Sequence, residues 1–223
     1  MRKAQLVIFG TFLSIAVLGN AHAQPIETID GSESFKLTSD DVAAPNPKLT
    51  DAVDFTQLRS AYGRRSDFQM RCESSRPTKD WVDAMQASNF NGAYEVITKW
   101  FNKCPVDMRA HLWAIDTLRK LGDMEKADAH KRWLFGLTDS IIKSGDGRTP
   151  RTAFVTISVS EEYALLTMFR LQRVKQSLVN GPPLVDQMVV EPVGGGSKQQ
   201  VIYFNPYLHF VRLSHMLDQS KPN

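Results

Sequence analysis

The stretch from Ser144 to Tyr163 combines a Gly-Asp-Gly loop with two adjacent glutamates and a tyrosine. Ser144-Gly145-Asp146-Gly147 opens like a calcium loop, but Asp146 is its lone carboxylate where calcium takes about six to eight oxygens. Turn chemistry suffices: Gly145 caps the helix before it, and Asp146 accepts backbone N–H groups as Asx-turns do. Glu161 and Glu162 follow, with Tyr163 beside them. Adjacent carboxylates can divide acid and base roles when burial separates their pKa values. The plainer expectation is a solvated helix start, where acids suit the dipole. Asp146, Glu161, Glu162 and Tyr163 are therefore candidates for a functional or a structural role, and no catalytic residue is assigned.

Histidine chemistry finds little support. After residue 23 the chain has His111, His130, His209 and His215, with no pair at i,i+4 and no His-Glu-x-x-His. Each is expected on a helix surface or partly packed, so no metal site is expected. Gly194-Gly195-Gly196 lies between strand-like stretches rather than before a helix, which makes it a hairpin turn and not a phosphate loop. Serine-hydrolase elbows, kinase signatures and Cys-His motifs are missing from the sequence. No cofactor is expected.

The N-terminus explains the cysteines. Arg2 and Lys3, an apolar run from Leu6 to Leu18, and Ala21-His22-Ala23 have the layout of a secretory leader cleaved between Ala23 and Gln24. The run falls short of the roughly 20 residues a bilayer requires, so the cleaved chain is expected in the periplasm or outside, not in the membrane. Export favours a disulfide between Cys72 and Cys104, the only cysteines. Cleavage leaves 25 basic against 24 acidic residues, net +1, which offers no footprint for nucleic acid or a membrane surface. Between Gln24 and Asp54 seven acids face Lys36 and Lys48, so the remainder of the chain carries +6. Residues 24–50, polar and broken by prolines, read as a flexible acidic linker.

The rest is expected to form one α+β domain over 51–218, with a tail at 219–223. Its helical half covers 54–144. Asp54 caps a first helix, and four apolar stripes follow, ending at Phe90, Phe101, Leu121 and Ile142. Ala93 and Ala127 stand 34 residues apart in similar surroundings, the tetratricopeptide period, so 79–138 resembles slightly under two such repeats. About three repeats are needed to bury a solenoid core, so these hairpins must pack on the strand-rich half, 150–218. There Ala153 to Val159 alternates as a strand, Glu161 to Phe169 fits a short helix, and three further strands form an antiparallel meander. Asn205-Pro206 then opens a C-terminal helix. The expected architecture is α+β: helical hairpins on an antiparallel sheet of about four strands.

Five short motifs in order, Ser144-Gly145-Asp146-Gly147, Thr152-Ala153-Phe154, Glu161-Glu162-Tyr163, Gln176-Ser177-Leu178 and Tyr203-Phe204-Asn205, carry a resemblance. Over roughly 54–205 the chain resembles the secreted bacterial family catalogued as the domain of unknown function numbered 4919. The resemblance implies an exported bacterial protein and carries over no catalytic residue. Two functions follow as expectations. The first is a non-enzymatic periplasmic module that binds a protein partner in the cell envelope through its helical hairpins. The second is a hydrolase or small-molecule binder using the Gly-Asp-Gly loop and the Glu-Glu-Tyr segment.

Overall fold

Side-chain caps mark where most of the helices begin. Asp54 accepts the N–H groups of Thr56 and Gln57 and starts α1 (Phe55–Gly63). Asn89 does the same for α3 (Phe90–Phe101), Asp107 for α4 (Met108–Leu121) and Asp123 for α5 (Met124–Ile142). Each such cap contributes about 1 kcal/mol by relieving an orphan N–H. α2 (Thr78–Gln86) starts after Pro77 without one. Gly122, at φ 76°, closes α4 in the left-handed conformation that glycine adopts without strain. The computed structural model describes residues 37–39, 42–195 and 198–219. The leader, its Ala23–Gln24 junction and residues 220–223 lie outside the described residues.

The helices pack in chain order: α2 on α3, α3 on α4, α4 on α5, with α1 against α5. The second helices of the two pairs repeat at the 34-residue spacing, Asn89 with Asp123 as caps and Ala93 with Ala127 as buried contacts. Trp81 of α2 stacks on Trp113 of α4, ring centroids 4.8 Å apart and planes 9° apart. Ahead of α2 the chain winds into a π-helical turn, Gln69–Ser74. Cys72 of that turn is bonded to Cys104, just past α3, with Cα atoms 5.3 Å apart. This is the expected bridge.

The sheet departs from expectation in two respects. Four strands run in the order β1-β4-β3-β2. β2 (Leu171–Val179), β3 (Val185–Pro192) and β4 (Gln200–Asn205) form the antiparallel meander. β1, however, pairs with β4 in parallel, so the sheet is mixed. β1 is also far shorter than the alternation from Ala153 to Val159 suggests, covering Phe154–Val155 alone. The reason is local. Ser158 accepts the N–H of Glu161 and starts α6 (Val159–Met168), which ends the extended run. Ile157 is buried at that corner all the same. α6 then lies between the two halves, touching β2 on one side and α4 on the other. The helical pairs thus meet the sheet largely through α6. Asn205 accepts the N–H of Tyr207 and opens α7 (Tyr207–Gln219).

Residues 42–50, the end of the stretch read as a linker, are tied to this body. The hydroxyl of Tyr62 donates to the Pro45 carbonyl at 2.8 Å, Trp133 Nε1 to that of Leu49 at 3.1 Å, and Arg65 to that of Val42 at 2.6 Å. Ala44 and Leu49 rest on the core. This strap closes one side of a cavity over α3, α4 and α5.

Candidate functional site

The Gly-Asp-Gly loop is a turn. Asp146 Oδ1 accepts the N–H of Arg148 at 3.0 Å and the hydroxyl of Thr152 at 2.5 Å, both near the surface. These bonds hold its carboxyl below the usual range. The expected glycine cap needs correcting. Lys143 caps the C-terminus of α5, and Gly147, not Gly145, takes positive φ, at 66°. Gly145 is needed for a different reason: a Cβ there would lie 2.5 Å from the Thr152 carbonyl oxygen and 2.6 Å from that of Ala153. Only a residue without a side chain lets those strands of backbone pass so closely.

Glu161 and Glu162 are not a solvated helix start. Both are buried, Glu162 completely. Glu161 takes a bidentate pair from Arg59 of α1, Nε to Oε1 at 2.9 Å and Nη2 to Oε2 at 2.7 Å, and the N–H of Ile157 at 2.9 Å. Arg59 also donates to Ser140 of α5 and to the Val155 carbonyl of β1. One guanidinium thus fastens α1, α5, β1 and α6 together. Leaving either partner buried without the other would cost about 3–5 kcal/mol. The cavity beside Glu161 measures about 10 Å³ and lies against the Cys72–Cys104 bridge. That is room for about one water.

Glu162 belongs to a separate network on the sheet side. It accepts from the Thr156 hydroxyl at 3.2 Å and faces Asp186 of β3. Were both carboxylates ionised, its Oε2 would be buried without a donor. Burial, then the Asp186 charge, push its carboxyl up to about 9. A proton kept on Glu162 supplies the missing donor and points it at Asp186. Asp186 also accepts from Gln176 Nε2 at 2.5 Å, and Gln176 Oε1 accepts from the Tyr163 hydroxyl at 2.7 Å and from Arg173 at 2.8 Å. Tyr163 is therefore a brace between α6 and β2. Among the described residues no hydrogen bond or ion pair links Asp146 to Glu161 or Glu162, so the candidates do not form one site.

The histidines give the larger surprise. His111 and His130, expected on a helix surface or partly packed, are fully buried and meet Nδ1 to Nδ1 at 3.0 Å. His111 Nε2 lies 2.9 Å from the Pro105 carbonyl, which can only accept, so that nitrogen carries a hydrogen. Burial drives the His111 imidazole down to about 4, and burial together with His111 drives His130 to about 3. Both are neutral at pH 7, and the tautomers follow. His111 Nδ1 is bare and accepts from His130 Nδ1–H, which leaves His130 Nε2 bare as well. The Tyr94 hydroxyl lies 3.5 Å from that nitrogen, at the limit of a hydrogen bond. The pair lines a cavity of about 140 Å³ together with Tyr94, Phe101, Trp133 and Leu49 of the strap. Phe101 sits against both imidazoles, 4.4 Å and 4.9 Å between centroids. The signal for this cluster was the position of His130 on the apolar stripe of α5. The partner, 19 residues away on another helix, has no local signature.

Among the described residues, no three His, Cys, Asp or Glu side chains are grouped to hold a metal ion. Nor is any helix there long and apolar enough to cross a membrane. The match that places the chain covers residues 53–209, starting one residue ahead of the Asp54 cap and ending within α7. The chain belongs to the family described as a domain of unknown function, DUF4919. No curated protein and no solved structure matches it. The DUF4919 region includes α1 to β4 whole, with the disulfide, the Arg59–Glu161 pair, the Glu162–Asp186 network and the histidine pair all inside it.

Proposed function

We propose that this DUF4919 protein is exported to the bacterial cell envelope, where it binds a protein partner on its helical array and performs no catalysis of its own. The observation that carries the reading is the repeat of helix pairs at the tetratricopeptide spacing, with matched caps and matched buried alanines. Helix-pair arrays of this type present extended binding surfaces along their first helices. Here the first helices are α2 and α4, and the stacked Trp81 and Trp113 lie on them half-buried. Tryptophan is among the side chains enriched at binding hot spots. The leader-like residues before Gln24 and the Cys72–Cys104 bridge support an oxidising compartment outside the cytoplasm.

The test is crosslinking in the native host with a tagged chain, comparing the wild type with Trp81→Ala and Trp113→Ala. A partner captured by the wild type is expected to be lost with either variant while circular dichroism stays unchanged. Capture that survives both substitutions would remove the array from the interface. Catalytic turnover by the purified chain on any envelope substrate would end the reading as a non-enzyme.

A further inference from the structure

Asparagine precedes glycine twice in this chain, at Asn91-Gly92 and at Asn180-Gly181. The pair can react with itself. A glycine, having no Cβ to shield its backbone nitrogen, can bring that nitrogen against the asparagine side-chain amide. The attack needs an unengaged N–H, an amide free to swing over it, and a backbone able to turn between the two residues. The fold supplies these at Asn180. Asn180 follows β2 and Gly181 lies in the connection to β3, both exposed. Nothing lies within 4 Å of the place a Cβ would take on Gly181. Among the described residues no hydrogen bond holds the Asn180 amide or the Gly181 N–H, and surface connections turn more freely than the elements they join. At Asn91 the fold withholds them. Asn91 sits in the first turn of α3, and the Gly92 N–H donates to Oδ1 of the Asn89 cap at 3.0 Å. Asp146-Gly147, which could close the same ring through its carboxyl, is held as well. Its Gly147 N–H donates to the Thr152 carbonyl at 2.8 Å, and Asp146 Oδ1 accepts from Arg148 and Thr152.

We propose that Asn180 is a site of spontaneous modification: Gly181 closes a succinimide on its side chain, ammonia leaves, and water reopens the ring to aspartate or isoaspartate. The bond that forms joins the Gly181 nitrogen to Asn180 Cγ, and the bond that breaks is Cγ–Nδ2. The Gly181 amide proton leaves with the ammonia, and nothing is oxidised or reduced. Water adding at Cγ restores the main chain with an aspartate in it. Water adding at the Asn180 main-chain carbonyl leaves the chain running through Cβ, as isoaspartate. Either product places a new negative charge at the tip of the β2–β3 hairpin. The hairpin stays paired, because its register is pinned by Asp186, Met188 and Val190 on the buried face. The site lies apart from the helix array and does not depend on it.

The experiment incubates the purified chain in heavy-oxygen water at mildly alkaline pH, once folded and once in urea. Peptide mass spectrometry follows both asparagines over time. In urea the two Asn-Gly pairs should convert alike. In the folded chain Asn180 should keep its urea rate, while Asn91 should slow about five-fold or more, the worth of one helix cap. The product at Asn180 should carry one heavy oxygen taken from the water, and fragmentation should show isoaspartate beside aspartate. Gly181→Ala, whose added methyl meets open space, should melt with the wild type and lose most of the conversion. If Gly181→Ala does not fold, the comparison of folded with urea-treated wild type still decides. Folding that slows Asn180 as much as Asn91 would overturn the proposal. So would a folded Gly181→Ala that converts as fast as the wild type, or a product at Asn180 free of heavy oxygen.

Discussion

Replacing Glu162 with glutamine should stabilise this protein, and more so as the pH rises. The carboxyl is fully buried, faces Asp186 and Glu161, and has a folded-state pKa of about 9 against 4.5 in the unfolded chain. A pKa raised on folding gives stability that is complete below the unfolded value and is lost as pH climbs toward the folded one. Between pH 4.5 and about 9 the unfolded chain ionises Glu162 while the native protein keeps the proton, and each pH unit costs about 1.4 kcal/mol. By pH 7.5 the cost approaches 4 kcal/mol as an upper bound, so a working range is about 2–4 kcal/mol. Glutamine is nearly isosteric with the protonated acid, carries no charge, and can donate to Asp186 through its amide. For a chain of this size about 1 kcal/mol moves the melting point by roughly 2–4 °C. Glu162→Gln should therefore melt about 4–16 °C above the wild type at pH 7.5 and level with it at pH 4.5. Calorimetric melts across pH 4.5–9 read this directly. Parallel melting curves for the two proteins over that range would refute the protonated carboxyl and with it the Glu162–Asp186 assignment.

Three further outcomes are expected. His111 and His130, lowered to about 4 and about 3, give stability that is present above pH 6.5 and lost as the pH falls through those values. In the Glu162→Gln background the melting point should thus drop below about pH 6, and histidine resonances that titrate near 6.5 would contradict the buried pair. Replacing Cys72 and Cys104 with serine should cost about 3–4 kcal/mol, the entropy of closing a loop whose ends are 32 residues apart, and unmodified denatured protein should show no titratable thiol. Asp146→Ala should cost about 1 kcal/mol through its two turn bonds, as thermal melts will show.

Local chemistry was legible wherever the determining atoms are near one another in the chain. Asp54 and Asn205 could be named as helix starts because a cap bonds to N–H groups two or three residues ahead. The 34-residue spacing of Ala93 and Ala127 marked equivalent buried contacts, since a repeat is written in sequence before it is built in space. The Asp146 turn was readable for the same reason. Gly145 was misread because the backbone that crowds it, at Thr152 and Ala153, comes from beyond the turn. The strand expected from Ala153 to Val159 was overcalled because alternation describes side-chain polarity, while Ser158 decides where the helix begins.

By itself the sequence determined the caps and turns, the order of helices and strands, the two cysteines able to bond, and the repeat of the helix pairs. Tertiary structure decided the parallel pairing of β1, the burial of Glu161 against Arg59, the proton held on Glu162, and the meeting of His111 with His130. Each of these depends on partners between 19 and 102 residues apart, or on how much water a fold excludes. A glutamate in the first turn of a helix looks the same in sequence whether solvent or a guanidinium lies above it. Its ionisation is set by that choice, because a charge is stable only where water or an opposite charge can reach it.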